Sequence, residues 1–444
     1  MTGEPETAIR KLALPIMISM ILTATYNIID GIWVAGLGQE AIAGIGFVTP
    51  IFMVLNGASV GLGNGATSSI SRFIGAKNHE KANQSATHSL IIFIVASIIL
   101  SLFFILFQDM ILSSYGASDQ TLVEADAYST PLFLGLIALM LSNGSSGILR
   151  GEGDMKRAMY AVIVTVILNA VLDPIFIYTL GLGSAGASIA TIISAAIAAA
   201  VILYWILIKK DTYVHVTLKG FEFDKKMARD ILKVGIPSSL DMMLMAIAMS
   251  VYLLLITQVG GDYAIATFSS GQRLFLFAIM PLTAIGSAVV AVSGSNYGAR
   301  NGEYLSRTHQ YGSKLGIALG FLISAVIVVF ATPLATMFAY TPETANLIPG
   351  IAEYLQIVCP CLTFIGIASS FFYQGIGKGV YSLFFTLLRE ILLAVPLAYF
   401  LGITLNWGII GIWIALSVGK GLASIINYIF ARYEIKRIRK IFGN

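Results

Sequence analysis

The chain has 444 residues, of which 57% are hydrophobic and 11% charged, a balance that excludes an ordinary soluble domain and points to a membrane. The net charge of +4 is too small to suggest a nucleic-acid partner. The two cysteines, Cys359 and Cys361, flank Pro360 at a spacing that matches neither a zinc pair nor a redox CxxC, so they read as small packing residues.

About 20 residues cross the hydrocarbon core at ~1.5 Å rise each. Apolar runs of that length predict twelve crossings, at 12–35, 41–66, 87–108, 127–149, 159–180, 186–208, 231–257, 266–295, 310–337, 350–373, 381–401 and 409–431. The acidic opening, Glu4 and Glu6, leads into a first run too long for a signal h-region, so that run is expected to remain as the first span. Basic residues gather at the termini and near the loops after even-numbered spans; only Arg273, Arg389 and Lys420 lie deep in a span. By the positive-inside rule both termini face the cytoplasm, and the membrane is expected to be the plasma membrane. The terminal basic stretch Lys436, Arg437, Arg439 and Lys440 then meets anionic lipid.

The chain repeats itself after 222 to 225 residues. Leu14-Pro15 recurs as Ile236-Pro237, Gly75-Ala76-Lys77-Asn78 as Gly298-Ala299-Arg300-Asn301, Gly151-Glu152-Gly153 as Gly375-Ile376-Gly377, and Pro174 as Pro396. Each half has six spans, so both copies face the same way and are related by an axis along the membrane normal. The expectation is an all-α membrane protein of two six-helix lobes around a cavity. The lobes run 1–208 and 231–432, joined by a solvated cytoplasmic linker at 209–230 and followed by a basic tail at 433–444.

Asp30 and Asp173 fall inside spans of the first half and have no counterpart in the second. A charge near mid-bilayer costs at least ~2.5 to 3.5 kcal/mol, so an intramembrane acid points first to ion or substrate movement. Counting along the helices puts Asp30, Asp173 and Thr191 roughly 8 to 12 Å from the outer ends of their spans, in one layer. Asn27 precedes Asp30 by three residues and Asn169 precedes Asp173 by four, so each amide shares a helix face with its acid. Tyr128 reaches the same level. Two poorly solvated carboxylates cannot both stay ionised cheaply, which suits proton coupling. The oxygens of Asp30, Asn169, Asp173 and Thr191 equally suit sodium, so the choice of ion stays open.

Three segments carry a specific resemblance: Tyr26-Asn27-Ile28-Ile29-Asp30-Gly31-Ile32-Trp33-Val34, Gly147-Ile148-Leu149-Arg150-Gly151-Glu152-Gly153-Asp154 and Leu172-Asp173-Pro174-Ile175-Phe176-Ile177-Tyr178. With them the chain resembles, nearly end to end, the multidrug and toxic compound extrusion family in its archaeal and DinF-like branch. The resemblance implies a twelve-helix antiporter that exports small organic cations by alternating access. Asp30, Asn169, Asp173 and Thr191 would form its ion site, Tyr128 would line it, and Glu152 would be a cytoplasmic-side acid.

The second half carries Asp241, Arg389, Glu390 and Lys420 near the midplane, where charges are expected to pair, Asp241 with Lys420 first. Met242 and Met245 are candidates for lining an adaptable substrate cavity. A flippase for a lipid-linked precursor is the alternative, because Arg273, Arg389 and Lys420 could meet a diphosphate; an intramembrane aspartyl enzyme is more remote. Gly181-Leu182-Gly183-Ser184-Ala185-Gly186 is a literal GxGxxG, but it joins two spans and lacks a strand-helix-strand context. No Walker loop, nucleophile-base pair or histidine cluster is present, so the expectation is a gradient-driven carrier without enzymatic activity, cofactor or obligate protein partner.

Overall fold

The computed structural model describes residues 3–113, 119–209, 211–217, 221–337, 344–358 and 363–443. It is helical, as hydrocarbon requires: a backbone without water must satisfy its polar groups within each segment. The first half contains α1 (Pro5–Ala35), α2 (Gln39–Gly75), α3 (His79–Ser113), α4 (Asp119–Leu134), α5 (Leu136–Glu152), α6 (Met155–Pro174) and α7 (Gly183–Leu203). The second contains α8 (Lys225–Gly298), α9 (Gly302–Val329), α10 (Ala331–Thr336), α11 (Ile348–Ile357), α12 (Phe364–Gly375), α13 (Gly379–Leu387), α14 (Ala394–Ala398) and α15 (Gly408–Phe442).

Among the described residues nine helices are long and apolar enough to span a membrane. One of them, α8, runs for 74 residues and is broken at Gly261 (φ 55°, ψ −149°), so it makes two crossings joined outside the membrane. Helices α4 and α5 meet at a 54° bend and pass together as one span. The span expected at 350–373 is carried by α11 and α12; Cys359, Pro360 and Cys361 between them lie outside the described residues. Among the described residues these make eleven crossings, six in the first half and five in the second, and α11 and α12 lie in the twelfth expected span.

The repeat is written in the backbone as well as in the side chains. Lys77 (φ 55°) and Arg300 (φ 53°) both take the left-handed conformation, which is unfavourable for a residue with a β-carbon. In each copy the next residue is an asparagine that caps the following helix: Asn78 accepts from the Lys81 N–H at 3.0 Å and Asn301 from the Tyr304 N–H at 2.9 Å. Gly153 (φ 90°) and Gly377 (φ 80°) close the equivalent helices of the two halves.

The residues fall into two compact units. The first comprises Leu14–Met242 together with Gln374–Gly379, and the second comprises Thr2–Ala13, Met243–Tyr373 and Val380–Asn444. Helix α1 thus changes unit beside Pro15. Its opening turns are fixed within the second unit by Arg307, which pairs with Glu4 and Glu6, and by Arg10, which lies 5.4 Å from the Tyr311 ring centre. The Gln374–Gly379 turn packs on α2, where Ser68 Oγ donates to the Gln374 carbonyl at 2.5 Å. The terminal residues read as a tail continue α15 through Phe442.

The described part of the linker is not a free tether. Thr212, Val214 and Val216 are buried in alternation with exposed or half-exposed neighbours, the pattern of an extended chain lying on a surface. Its backbone is held by the side chains of the first unit. The Val214 N–H donates to Glu152, the His215 N–H to Asn83 and the Asp224 N–H to His88 Nε2. Asp211 accepts from both Arg157 and Lys209 at 2.8 Å, and the Lys209 hydrogen bond holds its carboxyl below the usual range.

Candidate functional site: the acid pair of the first unit

Four helices contribute side chains to one buried polar layer. Asn169 and Asp173, one turn apart on α6, are both 0% exposed. Asp30 on α1 is half-buried, and its carboxyl group lies beside that of Asp173. Asn169 Nδ2 donates to Thr191 Oγ1 on α7 at 3.2 Å, and Thr191 in turn donates to the Ala187 carbonyl at 3.1 Å. Tyr128 on α4 adjoins both carboxylates. Within this layer Asn169 Oδ1 and both Asp173 oxygens accept no hydrogen bond. Buried acceptors without donors are rare and expensive, so this is a place where the fold is kept unsatisfied.

Pro174 explains part of the local geometry. It cannot donate to the Ala170 carbonyl, and the helix continues beyond it as a wider π turn over Ile175–Thr179. That turn delivers Tyr178, whose hydroxyl donates to the Trp33 carbonyl at 2.5 Å and whose ring meets the Trp33 ring edge-on at 6.2 Å. Toward the outer ends of the spans, Val34, Ile177 and Ala187 pack with Trp33, Leu37, Ile45 and Tyr128. The acids therefore lie beneath an apolar layer.

The structure thus brings together Asp30, Asn169, Asp173, Thr191 and Tyr128, and leaves Asn27 out. Asn27 is exposed and makes no hydrogen bond among the described residues. Tyr26 takes its place: the hydroxyl lies within reach of Thr191, Tyr128 and both acids. The signal for it was available, because Tyr26 precedes Asp30 by four residues and a helix places such pairs on one face.

The remaining candidates make other contacts, and one expected pairing is replaced. Glu152 holds the linker through Val214 at 2.9 Å and is not part of the acid layer. Met242 packs over Gly57 of α2, its Cβ 3.0 Å from where a side chain at that glycine would begin, and Met245 is half-exposed in the second unit. Lys420 pairs with Glu390 and not with Asp241, which belongs to the first unit. Glu390 receives Lys420 Nζ at 3.0 Å, Arg389 Nε at 2.8 Å and the Tyr252 hydroxyl at 3.1 Å. Neighbouring residues such as Arg389 and Glu390 do not face each other on a regular α-helix. Both lie in the π turn Leu388–Leu393, and the long Arg389 side chain reaches Glu390 there; a depth count along an ideal helix does not include that turn.

The MatE family profile matches the chain twice, over residues 15–175 and 237–400, in the register of the internal repeat. An FAD transporter of Shewanella oneidensis is 25% identical over 433 residues, covering 95% of this chain and 93% of the relative. The multidrug export protein MepA of Staphylococcus aureus (strain MRSA252) is 26% identical over 422 residues, covering 94% and 91%. A crystal structure of a MATE protein in complex with MaL6 superposes with a TM-score of 0.95 at 36% identity, covering 99% of this chain and 98% of the other. The chain belongs to the MatE family of multidrug and toxic compound extrusion proteins, multi-pass membrane transporters and not enzymes.

Proposed function

We propose that this transporter exports organic cations across the plasma membrane in exchange for protons or sodium ions entering through the acid pair of the first unit, with both termini in the cytoplasm. The observation that carries the reading is Asp173: wholly buried, beside a second carboxylate, with neither oxygen hydrogen-bonded. Such a group needs a positive partner, and the partner is exchangeable. A proton on one acid relieves the repulsion within the pair. A sodium ion would find carboxylate, amide and hydroxyl oxygens in one layer. An organic cation competes for the same negative charge, and mutually exclusive occupancy is what antiport requires.

Pro174 supplies the element to be biased. A ligand shifts a conformational equilibrium only through different affinities for its two states, and a break beside the exchanging acid gives those states different surroundings. The flippase reading relied on Arg273, Arg389 and Lys420 meeting a diphosphate; Arg389 and Lys420 rest on Glu390, which weighs against it.

The test is gradient-driven efflux from proteoliposomes loaded with ethidium. Export driven by an inward pH or sodium gradient supports the proposal, and the effective gradient identifies the coupling ion. Efflux that runs equally without either gradient contradicts it.

A further inference from the structure

His88 on α3 is 2% exposed, although the helix face it belongs to is open. Gln84 and Lys81, one and two turns before it on the same stripe, are both exposed. What covers His88 is the end of the linker: the Phe221 and Phe223 ring centres lie 4.8 and 5.7 Å from that of the imidazole. The exchange of cations at the acid pair makes no use of this buried titratable group.

Two backbone groups fix the protonation of the ring. The Gln84 carbonyl can only accept, so Nδ1 carries a proton and donates to it at 2.7 Å. The Asp224 N–H can only donate, so Nε2 is bare and accepts from it at 2.8 Å. A second proton on Nε2 would set N–H against N–H, so a charged His88 and the bond to Asp224 exclude each other. Asp224 also caps α8, the helix that opens the second half: its carbonyl accepts from the Ala228 N–H at 3.0 Å and its carboxylate from the Lys226 N–H at 2.7 Å. The other charged groups around the latch are engaged or in solvent. Glu222, Lys225 and Lys226 are exposed, and on α3 the nearest charge in sequence is Lys81. Asp230 of α8 holds Arg72 and Ser69, and Ser69 accepts from Ser85 of α3.

We infer that His88 is a pH-operated latch on the linker, closed while the imidazole is neutral and released when the linker's side of the membrane, the cytoplasm under the proposed orientation, turns acidic. The released form binds the extra proton and the latched form does not, so falling pH draws the equilibrium toward release. Release removes the anchor of the α8 cap and slackens the covalent tie between the two halves, which slows export. Where protons are the coupling ion, the carrier then slows as the protons it admits accumulate.

Hydrogen exchange of segment 221–230 in the full-length protein in nanodiscs reads the latch directly, whatever solute is carried. It is followed from about pH 8 to about pH 5.5, within the interval where histidines change charge, with intrinsic exchange rates divided out. Glu152→Gln is the background, because Glu152, His79 and His215 are titratable groups at the other end of the linker, at 213–215. In that background the segment should be protected at about pH 8 and lose about fivefold of its protection by about pH 5.5, the scale of one hydrogen bond. Adding His88→Gln, whose amide oxygen accepts from Asp224 at any pH, should keep the segment protected throughout. Adding His88→Phe, which offers no acceptor, should leave it unprotected already at about pH 8. Imposed gradients cancel in a ratio of rates, so His88→Gln should export ethidium as fast as the parent at an internal pH of about 7.5 and about fivefold faster at about 5.5. Protection that is indifferent to pH, or that falls equally in His88→Gln, overturns the latch; an export ratio of one at both pH values overturns its control of transport.

Discussion

In the register set by Pro15 and Pro237, position 30 of the first half corresponds to position 252 of the second, and the residues there are an aspartate and a tyrosine. By Pro174 and Pro396, Asp173 corresponds in the same way to Val395. Each half nevertheless buries charge. In the first, two carboxylates adjoin each other and Asp173 accepts no hydrogen bond. In the second, Tyr252 donates to Glu390, which also accepts from Arg389 and Lys420. One scaffold carries a polar layer that awaits a partner and another whose carboxylate is saturated. Under the proposed function, the difference separates a site that exchanges cations from one that holds helices together.

The largest expected effect is on the saturated cluster. Glu390→Gln leaves two buried cations without their shared counter-charge, and breaking a buried pair from one side costs ~3 to 5 kcal/mol. Its melting temperature in detergent should fall sharply, and the Glu390→Gln/Lys420→Met double variant should regain much of the loss. Additive losses would mean that the triad is not the unit of stability.

Next is the break beside Asp173. Pro174→Ala restores a helical hydrogen bond of about 1 kcal/mol, which corresponds to about fivefold in transport rate if it opposes the conformational step. Spin labels at the outer ends of α1 and α6 should lose their pH- or sodium-dependent change in separation. A parent-like rate with the change intact would reduce the bend to packing.

Tyr26→Phe removes one hydroxyl from the acid layer and should shift the ion concentration for half-maximal transport by about twofold, equivalent to about 0.5 kcal/mol. The smallest effect belongs to Asp211→Asn in the exposed linker. Because the Lys209 hydrogen bond lowers the Asp211 pKa in the folded protein, its contribution is present above the ordinary aspartate range and fades as pH falls through the lowered value. The melting difference between parent and variant should therefore be small at neutral pH and vanish in acid.

Much of this arrangement could be read without coordinates. Run length gave the spans, and an integral repeat gave two halves of six. Counting residues from span ends placed Asp30, Asp173 and Thr191 at one depth, since rise along a helix is nearly constant. Azimuth is less constant. Glu390 lies in the π turn Leu388–Leu393 and faces Lys420, whereas a pairing inferred from depth alone chose Asp241 instead. Asn27 and Tyr26 bracket the same ambiguity on α1, where offsets of three and four residues both suit a shared face but only Tyr26 reaches the acids. The exchange of Thr2–Ala13 and Gln374–Gly379 between units left no trace in hydropathy, because it depends on side-chain partners such as Arg307 with Glu6 and Ser68 with Gln374. The linker looked solvated by composition, yet its alternate residues are buried.

The account rests on the claim that the acid pair, and not the saturated cluster, couples ion entry to export. Ethidium efflux from proteoliposomes under an imposed pH or sodium gradient tests it when Asp30→Asn, Asp173→Asn and Glu390→Gln/Lys420→Met are measured beside the parent, each at equal folded protein. Loss of gradient-driven efflux in both aspartate variants, with substantial efflux in the double variant, is the expected result. Efflux that survives in either aspartate variant but disappears in the double variant would contradict the account and move the coupling site to the second unit.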